Sequence, residues 1–226
     1  MIKSAFGLIV VAAGSSRRMG GVDKVWAPLG AHPVVWYALH RLAPLATATV
    51  LVVRADQAAR AADLASAFPH VIVVPGGAER QHSVANGLAA LPLLDIVAVH
   101  DAARPFASAA LLQRGLACLQ PWSGAVPVTS LADTIKTIDE HGRVMSTLDR
   151  TRLRAVQTPQ LFCTEALRRA HRQGTGAGLA VTDDAALLEA AGFPVYTFDG
   201  EVGNFKITTE HDLALARLLA AQRDRP

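Results

Sequence analysis

Two arginines and a lysine follow the first apolar run of the chain, at a spacing that suits phosphate binding. The run ends in the small residues 12–14, and Arg17, Arg18 and Lys24 come next. Small residues let the backbone approach an anion closely, and successive N–H groups form a concave nest for it. Arginine and lysine add charge-assisted contacts. We predict a polyphosphate cradle in the first thirty residues, with Arg18 favoured over Arg17 because adjacent turn residues point different ways.

A glycine pair later in the chain is a candidate for recognising a nucleotide base. Gly76 and Gly77 follow an apolar run, and Ser83 stands where the pattern predicts a helix start. Glycines let the backbone come close to a flat ring. The alternative is a plain strand-to-helix turn with Ser83 as the helix N-cap. The local sequence supports both interpretations equally.

The segment 100–105, HDAARP, follows another apolar run. Asp101 could bind ribose hydroxyls or orient a magnesium ion, and Arg104 could meet a phosphate. The alternative is an Asp–Arg pair that only closes a turn. An aspartate that leaves a buried strand is costly without a partner, which favours a functional role. We expect His100 to be structural, since nothing here requires a proton shuttle.

Several classes of protein are disfavoured. The pattern GxxxxGK[ST] does not occur and neither does GxGxxG, which argues against kinase chemistry and a nicotinamide cofactor. The net charge of +3, without a run of five like charges, does not require a nucleic-acid partner. No apolar run approaches the ~18 residues of a membrane span. Cys118 and Cys163 lack neighbours at metal-ligand spacing, so we expect a cytoplasmic protein without disulfides, targeting segment or membrane contact.

Strand and helix patterns alternate along the chain and predict an α/β fold with a Rossmann-like, doubly wound, mostly parallel sheet. We expect one domain over 1–226. Helix N-caps are predicted at Ser83, Ser108, Thr164 and Thr182, with Gly174 beyond the end of a helix. Strands are predicted over 5–12, 47–53, 71–74, 96–99, 125–128 and 195–198, and helices over 33–45, 56–68, 83–91, 109–119, 164–172, 183–191 and from 209 to about 223.

The alternation is interrupted by two short runs of β-forming residues, 134–138 and 143–148, which predict a β-hairpin. The hairpin carries little apolar surface, and an isolated hairpin is marginal in water. We therefore expect a protruding β-arm over about 130–152 that lies across a second subunit. The alternative is an excursion that folds back on its own domain.

Four segments in order resemble one family. They are GGAERxxSVxNGL over 76–88, HDAARP over 100–105, DR…TPQ over 149–160 and NFK over 204–206. The ordered set resembles the 2-C-methyl-D-erythritol 4-phosphate cytidylyltransferases over nearly the whole chain. The resemblance implies a nucleotidyltransferase fold and the transfer of CMP from CTP to the sugar-alcohol phosphate, with release of pyrophosphate, in non-mevalonate isoprenoid precursor synthesis. It also implies a homodimer clasped by β-arms and Mg²⁺ held mainly by the CTP phosphates.

The resemblance also implies roles for individual residues. Catalytic roles fall to Arg18, Lys24, Arg150 and Lys206. The nucleotide pocket would comprise Ala12, Ala13, Gly14, Ser16, Gly77, Ala78, Ser83, Asp101 and Ala102. The acceptor site would comprise Asp101, Arg104, Thr134, Arg150, Thr158 and Lys206. Thr134 and Arg150 lie on the predicted arm, so they would serve the neighbouring subunit's site.

Two positions depart from the family pattern. Ser16 stands where glycine is usual, and Asp23-Lys24 replaces Pro-Lys, which puts a carboxylate beside the lysine. Two alternative functions stay open, a cytidylyltransferase for another polyol phosphate such as ribitol 5-phosphate and a non-catalytic nucleotide-binding protein. Some relatives carry a downstream cyclase domain. Because this chain stops at Pro226, we expect a single activity.

Overall fold

The structure is a computed structural model that describes residues 5–14, 23–176, 178–179 and 181–223. The predicted phosphate contact Arg18, together with Ser16 and Arg17 beside it, lies outside these residues.

Twelve strands and seven helices are present in the described residues. The strands are β1 (Phe6–Val11), β2 (Pro28–Leu29), β3 (His32–Pro33), β4 (Ala48–Val53), β5 (Val71–Pro75), β6 (Ile96–Asp101), β7 (Gly124–Ser130), β8 (Lys136–Ile138), β9 (Val144–Thr147), β10 (Arg154–Val156), β11 (Gln160–Cys163) and β12 (Val195–Asp199). The helices are α1 (Val34–Leu42), α2 (Ala58–Ala65), α3 (Arg80–Ala90), α4 (Ala109–Cys118), α5 (Thr164–Gly176), α6 (Asp184–Ala190) and α7 (Glu210–Arg223).

Eight strands form the central sheet. Strands β5, β4, β1 and β6 pair in parallel in that order. Beyond β6, the strand β11 is antiparallel to both β6 and β7, β10 is antiparallel to β7, and β12 is parallel to β7. Val11 pairs with Val52 on one side and Asp101 on the other, so the carboxyl ends of three strands meet at one edge. The predicted doubly wound, mostly parallel sheet is confirmed.

The core has two apolar layers on opposite faces of the sheet and a third apolar cluster in which α1 and α7 pack around Ile207. Phe6, Leu8 and Val10 of β1 pack in the layer formed with α1, α2 and α4. Ile9 packs in the layer formed with α3, α5 and α6. Because successive side chains of a strand alternate in direction, an apolar run buried on both faces makes a parallel core strand.

Strand β6 is longer than predicted and includes His100 and Asp101. These two residues pair with Val10 and Val11 of β1, so the ladder continues through them. The functional segment therefore begins inside the sheet, where its side chains are buried and held by the strand backbone.

Helix α3 begins before the predicted position. It starts at Arg80 with Glu79 as N-cap, and Ser83 lies in its first turn. The Ser83 hydroxyl donates to the Glu79 carbonyl at 3.1 Å and accepts from the Gly77 amide at 3.1 Å. The predicted N-cap at Ser83 is therefore wrong, because its hydroxyl binds back along the helix instead.

Two further helix ends differ from the predictions. Asp183, not Thr182, caps α6, and its carboxylate accepts from the Ala186 amide at 3.0 Å. Thr164 is the first residue of α5 rather than its cap, and the helix runs through Gly174. A side chain at Gly174 would approach within 2.6 Å of a Leu187 methyl, so this glycine allows α5 to pack on α6. The predicted cap at Ser108 is confirmed, since its hydroxyl accepts from the Leu111 amide at 3.0 Å.

The predicted hairpin is present as β8 and β9. All seven residues of the two strands are exposed. Its turn is fixed by Asp139, whose Oδ1 accepts from the amides of His141 and Arg143, and by Gly142 at a φ of 81°. In the described part of the chain, no helix is long and apolar enough to cross a membrane.

Candidate active site

A cleft of about 360 Å³ opens at the sheet edge where β1, β4 and β6 end. Ligands of open α/β sheets bind at this kind of edge. Residues from five separate segments line it, namely Val11, Ala12, Ala13, Gly14, Lys24, Val25, Gly77, Ala78, Glu79, Arg80, Ser83, Asp101, Ala103 and Lys206.

The glycine pair before α3 is packed tightly against the first loop. A Cβ on Gly76 would lie 2.5 Å from the Ala13 Cβ and 2.8 Å from the Ser83 oxygen. A Cβ on Gly77 would lie 2.3 Å from the Cβ of His82. Both positions therefore require glycine, and Gly77 leaves its backbone bare at the cleft wall.

Two cations share one carboxylate at the cleft floor. Lys206 Nζ lies 2.7 Å from Asp101 Oδ2, and Arg80 Nε lies 3.4 Å from Oδ1. Burial alone would raise the pKa of Asp101, but Arg80 and Lys206 outweigh it and hold that pKa well below its usual range. Asp101 is therefore ionised and pairs with these two residues, not with Arg104 as the turn-closing alternative would require.

A second cavity of about 290 Å³ adjoins the first and shares Arg80, Asp101 and Lys206 with it. It is also lined by Arg104, Val156, Gln157, Thr158, Gln160, Thr182 and Asp183.

Arg104 is held at the second cavity by backbone carbonyls. It donates to the Asn204 carbonyl at 2.8 Å and to the Val156 carbonyl at 3.4 Å. Burial lowers the pKa of Arg104, and the nearby Asp101 opposes this effect. The guanidinium stays charged because the ordinary pKa of an arginine lies far above neutral pH, and its bond to the Asn204 carbonyl attaches it to the loop that carries Lys206.

His100 organises the backbone below the cleft. Its Nε2 lies 3.0 Å from the Arg104 carbonyl, which can only accept, so Nε2 carries the proton. Nδ1 then accepts from the Thr158 hydroxyl at 3.1 Å, and the same hydroxyl oxygen accepts from the Asp101 amide at 3.0 Å. Burial lowers the pKa of His100 to about 4, so the ring is neutral near pH 7. These contacts agree with the structural role that we expected.

The Asp23 carboxylate contacts side chains that follow β4. Its Oδ2 accepts from Arg54 at 3.1 Å and from Gln57 at 2.6 Å, and its Oδ1 accepts from the Val25 amide at 3.3 Å. The carboxylate thus ties the segment that carries Lys24 to the connection between β4 and α2. The charge of Asp23 is compensated by Arg54.

Most predicted site residues that the structure describes lie together. Those at the larger cavity are Ala12, Ala13, Gly14, Lys24, Gly77, Ala78, Ser83, Asp101 and Lys206, and Arg104 and Thr158 line the second. Ala102 is fully buried, with its amide bonded to the Val11 carbonyl, and is not among the lining residues. Thr134 and Arg150 are exposed on the arm and line neither described cavity, and Ser16 and Arg18 lie outside the described residues.

The residues that support the cleft floor were not among the predicted site residues. Arg80 belongs to the motif over 76–88, and its positive charge beside the predicted base-recognition loop was a signal that could have identified it as a site residue. Its partner Asp184 lies 104 residues further on, bonded at 2.6 Å, and is fully buried. Asp183 and Asp184 stand at a predicted helix start, where an acidic pair is typical of ordinary helix capping. Only the packing of α3 on α5 and α6 therefore reveals this contact.

The acidic residues of the cleft are few. Of the described residues that line the larger cavity, Glu79 and Asp101 are acidic, and both Asp101 oxygens contact cations. Within the described ranges, no group of three or more His, Cys, Asp or Glu could hold a metal. Magnesium commonly uses one or two carboxylates together with substrate phosphates and water. The magnesium ion held by a nucleotide stays a prediction, and the described lining offers it the carboxylates of Glu79 and Asp101.

Comparisons with known proteins agree with the geometry. The model of the IspD family, described as 2-C-methyl-D-erythritol 4-phosphate cytidylyltransferase, matches residues 6–222. A protein of that description from Synechococcus sp. is 44% identical over 224 residues, 96% of each chain. The bifunctional enzyme IspD/IspF of Nitratidesulfovibrio vulgaris is 44% identical over 223 residues, which cover 92% of this chain and 56% of that enzyme.

Solved structures give the same result. The 4-diphosphocytidyl-2C-methyl-D-erythritol synthase of Anaerococcus prevotii superposes with a TM-score of 0.85 at 28% identity, covering 96% of this chain and 99% of that one. The 2-C-methyl-D-erythritol 4-phosphate cytidylyltransferase of Thermus thermophilus has a TM-score of 0.78 at 33% identity, covering 94% and 98%. The range that the family model matches includes the described residues of the cleft and of the arm, and this chain belongs to the 2-C-methyl-D-erythritol 4-phosphate cytidylyltransferase family.

Proposed function

We propose a division of the two cavities between the substrates of this family's reaction. The chain is a nucleotidyltransferase that transfers CMP from CTP to 2-C-methyl-D-erythritol 4-phosphate in isoprenoid synthesis. In our proposal CTP occupies the larger cavity and the sugar-alcohol phosphate occupies the second. The observation that supports this division is the position of Lys206, which lines both cavities at their junction.

The reaction needs charge neutralisation more than proton transfer. An oxygen of the acceptor's 4-phosphate attacks the α-phosphorus of CTP, the bond to the β-phosphate oxygen breaks, and pyrophosphate leaves. The attacking oxygen is already anionic at pH 7, so no general base is required. Two anions must be brought together, and positioning with electrostatic stabilisation accounts for catalysis of this kind. Of the described residues that line the two cavities, none is a histidine or cysteine.

The larger cavity suits a nucleotide. Its walls carry the bare backbone at Gly77 and the small side chains of Ala12 and Ala13, which leave room for a base and ribose. Lys24 lies at the same cavity. We propose that Lys24 and Arg18 stabilise the charge that develops on the triphosphate. Magnesium, held mainly by the CTP phosphates, would supply further positive charge against the triphosphate.

The second cavity suits a phosphorylated polyol. Arg104 offers a fixed guanidinium, and Thr158 and Gln160 provide polar groups nearby. Lys206 lies on the side that faces the nucleotide cavity. We propose that Arg104 and Thr158 hold the acceptor while Lys206 directs its phosphate toward the α-phosphorus.

The arm completes the site in our proposal. Three apolar side chains on it are more than half exposed, namely Ile138, Val144 and Met145. A hairpin with exposed apolar groups and few neighbours gains stability from a partner surface. We propose a homodimer in which Thr134 and Arg150 of each arm reach the acceptor site of the other subunit. A cytoplasmic location, without nucleic-acid or membrane partners, also remains our proposal.

A pyrophosphate-release assay tests the assignment. CTP, UTP and ATP are each combined with 2-C-methyl-D-erythritol 4-phosphate or ribitol 5-phosphate in the presence of magnesium. We expect turnover with CTP and the methylerythritol phosphate. Faster turnover with ribitol 5-phosphate would favour the other polyol phosphate, and CTP binding without pyrophosphate release would favour a non-catalytic protein.

The first prediction concerns the phosphate cradle. Arg18→Ala should lower kcat by ~10²–10³, because it removes a charge that acts on the transition state. Arg17→Ala is the matched control, since it removes the same charge one residue away. We expect a much smaller loss for it. Near-normal turnover in Arg18→Ala, with protein that unfolds at the wild-type temperature, would contradict the cradle.

A further inference from the structure

We propose that Arg80 is a positioning residue, anchored by the buried carboxylate of Asp184. Arg80 occupies one oxygen of Asp101, so that Lys206 contacts only the other oxygen and remains available to the acceptor phosphate. This inference rests on the proposed function, since it concerns how the catalytic ammonium is presented.

The anchor lies in the core. Asp184 is the first residue of α6 and is fully buried. Its Oδ2 accepts from Arg80 Nη1 at 2.6 Å, and its Oδ1 lies 3.8 Å from Nε2 of the buried His171. A buried carboxylate requires a compensating charge, so Arg80 is drawn toward the interior of the molecule.

Arg80 connects this anchor to the cleft. Its side chain is only 24% exposed, and its guanidinium uses different nitrogens for the two carboxylates, Nη1 for Asp184 and Nε for Asp101. Burial opposes its charge, but Asp184 and Asp101 raise the pKa of Arg80 above its usual value. A planar guanidinium holds its donors in a fixed arrangement, so fixing one end orients the other.

The consequence concerns Lys206. Arg80 contacts Asp101 Oδ1, which leaves Oδ2 for the ammonium at 2.7 Å. An ammonium has three N–H donors, and a single contact to Oδ2 leaves two of them for phosphate oxygens. Without Arg80, both oxygens of Asp101 would compete for Lys206 and draw it away from the substrate.

The charges fit this interpretation. Asp101 and Asp184 together carry two negative charges, and Arg80 and Lys206 carry two positive charges. Loss of Arg80 alone would leave two carboxylates with one lysine. The lysine would then be held by the protein when the anionic acceptor arrives.

Three variants test the proposal. Arg80→Gln should lower kcat/KM for the acceptor about 10- to 100-fold while the dissociation constant of CTP, measured without acceptor, changes less than about threefold. This single variant leaves Asp184 buried without its cation and is expected to be less stable. The double variant Arg80→Gln/Asp184→Asn removes both charges and should recover much of the thermal stability while remaining as slow as the single variant.

The double variant separates a positioning role from a structural one. If Arg80 only supports the fold, the double variant should regain activity together with its melting temperature, and the proposal is then wrong. A loss of CTP affinity with normal acceptor kinetics would also overturn it, because Arg80 would then recognise the nucleotide directly. Wild-type protein that fails to turn over the acceptor would instead contradict the proposed function.

The matched control is Arg168→Gln. Arg168 on α5 donates to the Leu88 carbonyl of α3 at 2.6 Å, so it stabilises the packing of the same helix as Arg80. It does not line either described cavity. We expect the control to lower stability without changing the acceptor kinetics. An equal kinetic loss in the control would attribute the effect to helix packing and overturn the proposal.

Discussion

The cleft floor and the arm contain the same kinds of functional side chain in opposite physical settings. Asp101 is held between Lys206 and Arg80, with His100 and Thr158 buried beneath it. On the arm, all residues of β8 and β9 are exposed. One region is organised by its own chain, whereas the other presents side chains that line neither described cavity.

This difference shows what holds the charged side chains of each region in position. In the cleft, charged groups are fixed because burial makes an unpaired charge costly. On the arm, Arg150 donates to the backbone carbonyl of Ala132, and this contact orients the guanidinium locally without connecting it to the cleft. In our proposed homodimer, the surface of the second subunit would fix the side chains of the arm.

The largest expected effect tests whether the arm acts on the neighbouring subunit. Lys206→Ala and Arg150→Ala should each lower kcat/KM for the acceptor, the first by ~10²–10³, because both remove a charge near the phosphate. Mixing the two variants under conditions that exchange subunits should restore about a quarter of the wild-type activity, since one site in each mixed dimer is then intact.

The measurement is pyrophosphate release against mixing ratio. Arg143→Ala, which removes an arginine at the hairpin turn, is the matched control for the arm and should stay near wild type. If mixing restores nothing although subunit exchange is demonstrated, the arm serves its own chain. A collapse of CTP affinity in Arg150→Ala would contradict our division of the two cavities.

The strands of the parallel core could be predicted because each one is marked by its own local sequence. The predicted strands over 5–12, 47–53 and 96–99 agree with β1, β4 and β6 to within two residues. Such strands are buried on both faces and appear as continuous apolar runs. The motifs that begin at the ends of these runs contain most of the described residues that line the cleft.

The remaining features depend on contacts between distant segments. Strand β10 has three residues of alternating exposure and was not predicted, because it forms only by pairing with β7. Ser83 was predicted as a cap because serine favours that position, yet the tight packing of Gly76 against Ala13 places the helix start earlier. The partners of Arg80 could not be predicted, since no local pattern identifies an ion pair between α3 and α6.

The next prediction concerns the stability of the cleft floor. The pKa of His100 is about 4 in the folded protein and 6.5 when unfolded. As the pH falls, His100 therefore binds its proton in the unfolded chain before it does so in the folded protein. The stability that neutral His100 contributes to the folded protein is complete above pH 6.5 and is lost toward pH 4. The free energy of unfolding should fall by about 3 kcal/mol across this window from His100 alone.

Denaturant unfolding between pH 7.5 and 4 measures this loss. His171 also has a pKa lowered by burial, so the variant His100→Gln is needed to assign the effect. The variant removes the titrating ring and should flatten the slope. Asp101 contributes only below about pH 4, because its unfolded pKa is 3.8. Equal slopes in the variant and the wild type would show that the floor is not held by a neutral His100.

The smallest expected effect concerns Asp23, which departs from the family pattern at the edge of the cleft. Asp23 is held by Arg54 and Gln57, so it should position Lys24 rather than weaken it. Asp23→Ala should lower kcat roughly 3- to 10-fold, because a small misplacement of a catalytic charge is costly. Asp56→Ala is the matched control, since it removes the other carboxylate that pairs with Arg54 while leaving Asp23 in place. An increase in kcat for Asp23→Ala would mean that the carboxylate competes with phosphate for Lys24. Contacts within the chain would then hold this catalytic charge in position no better than they hold the side chains of the arm.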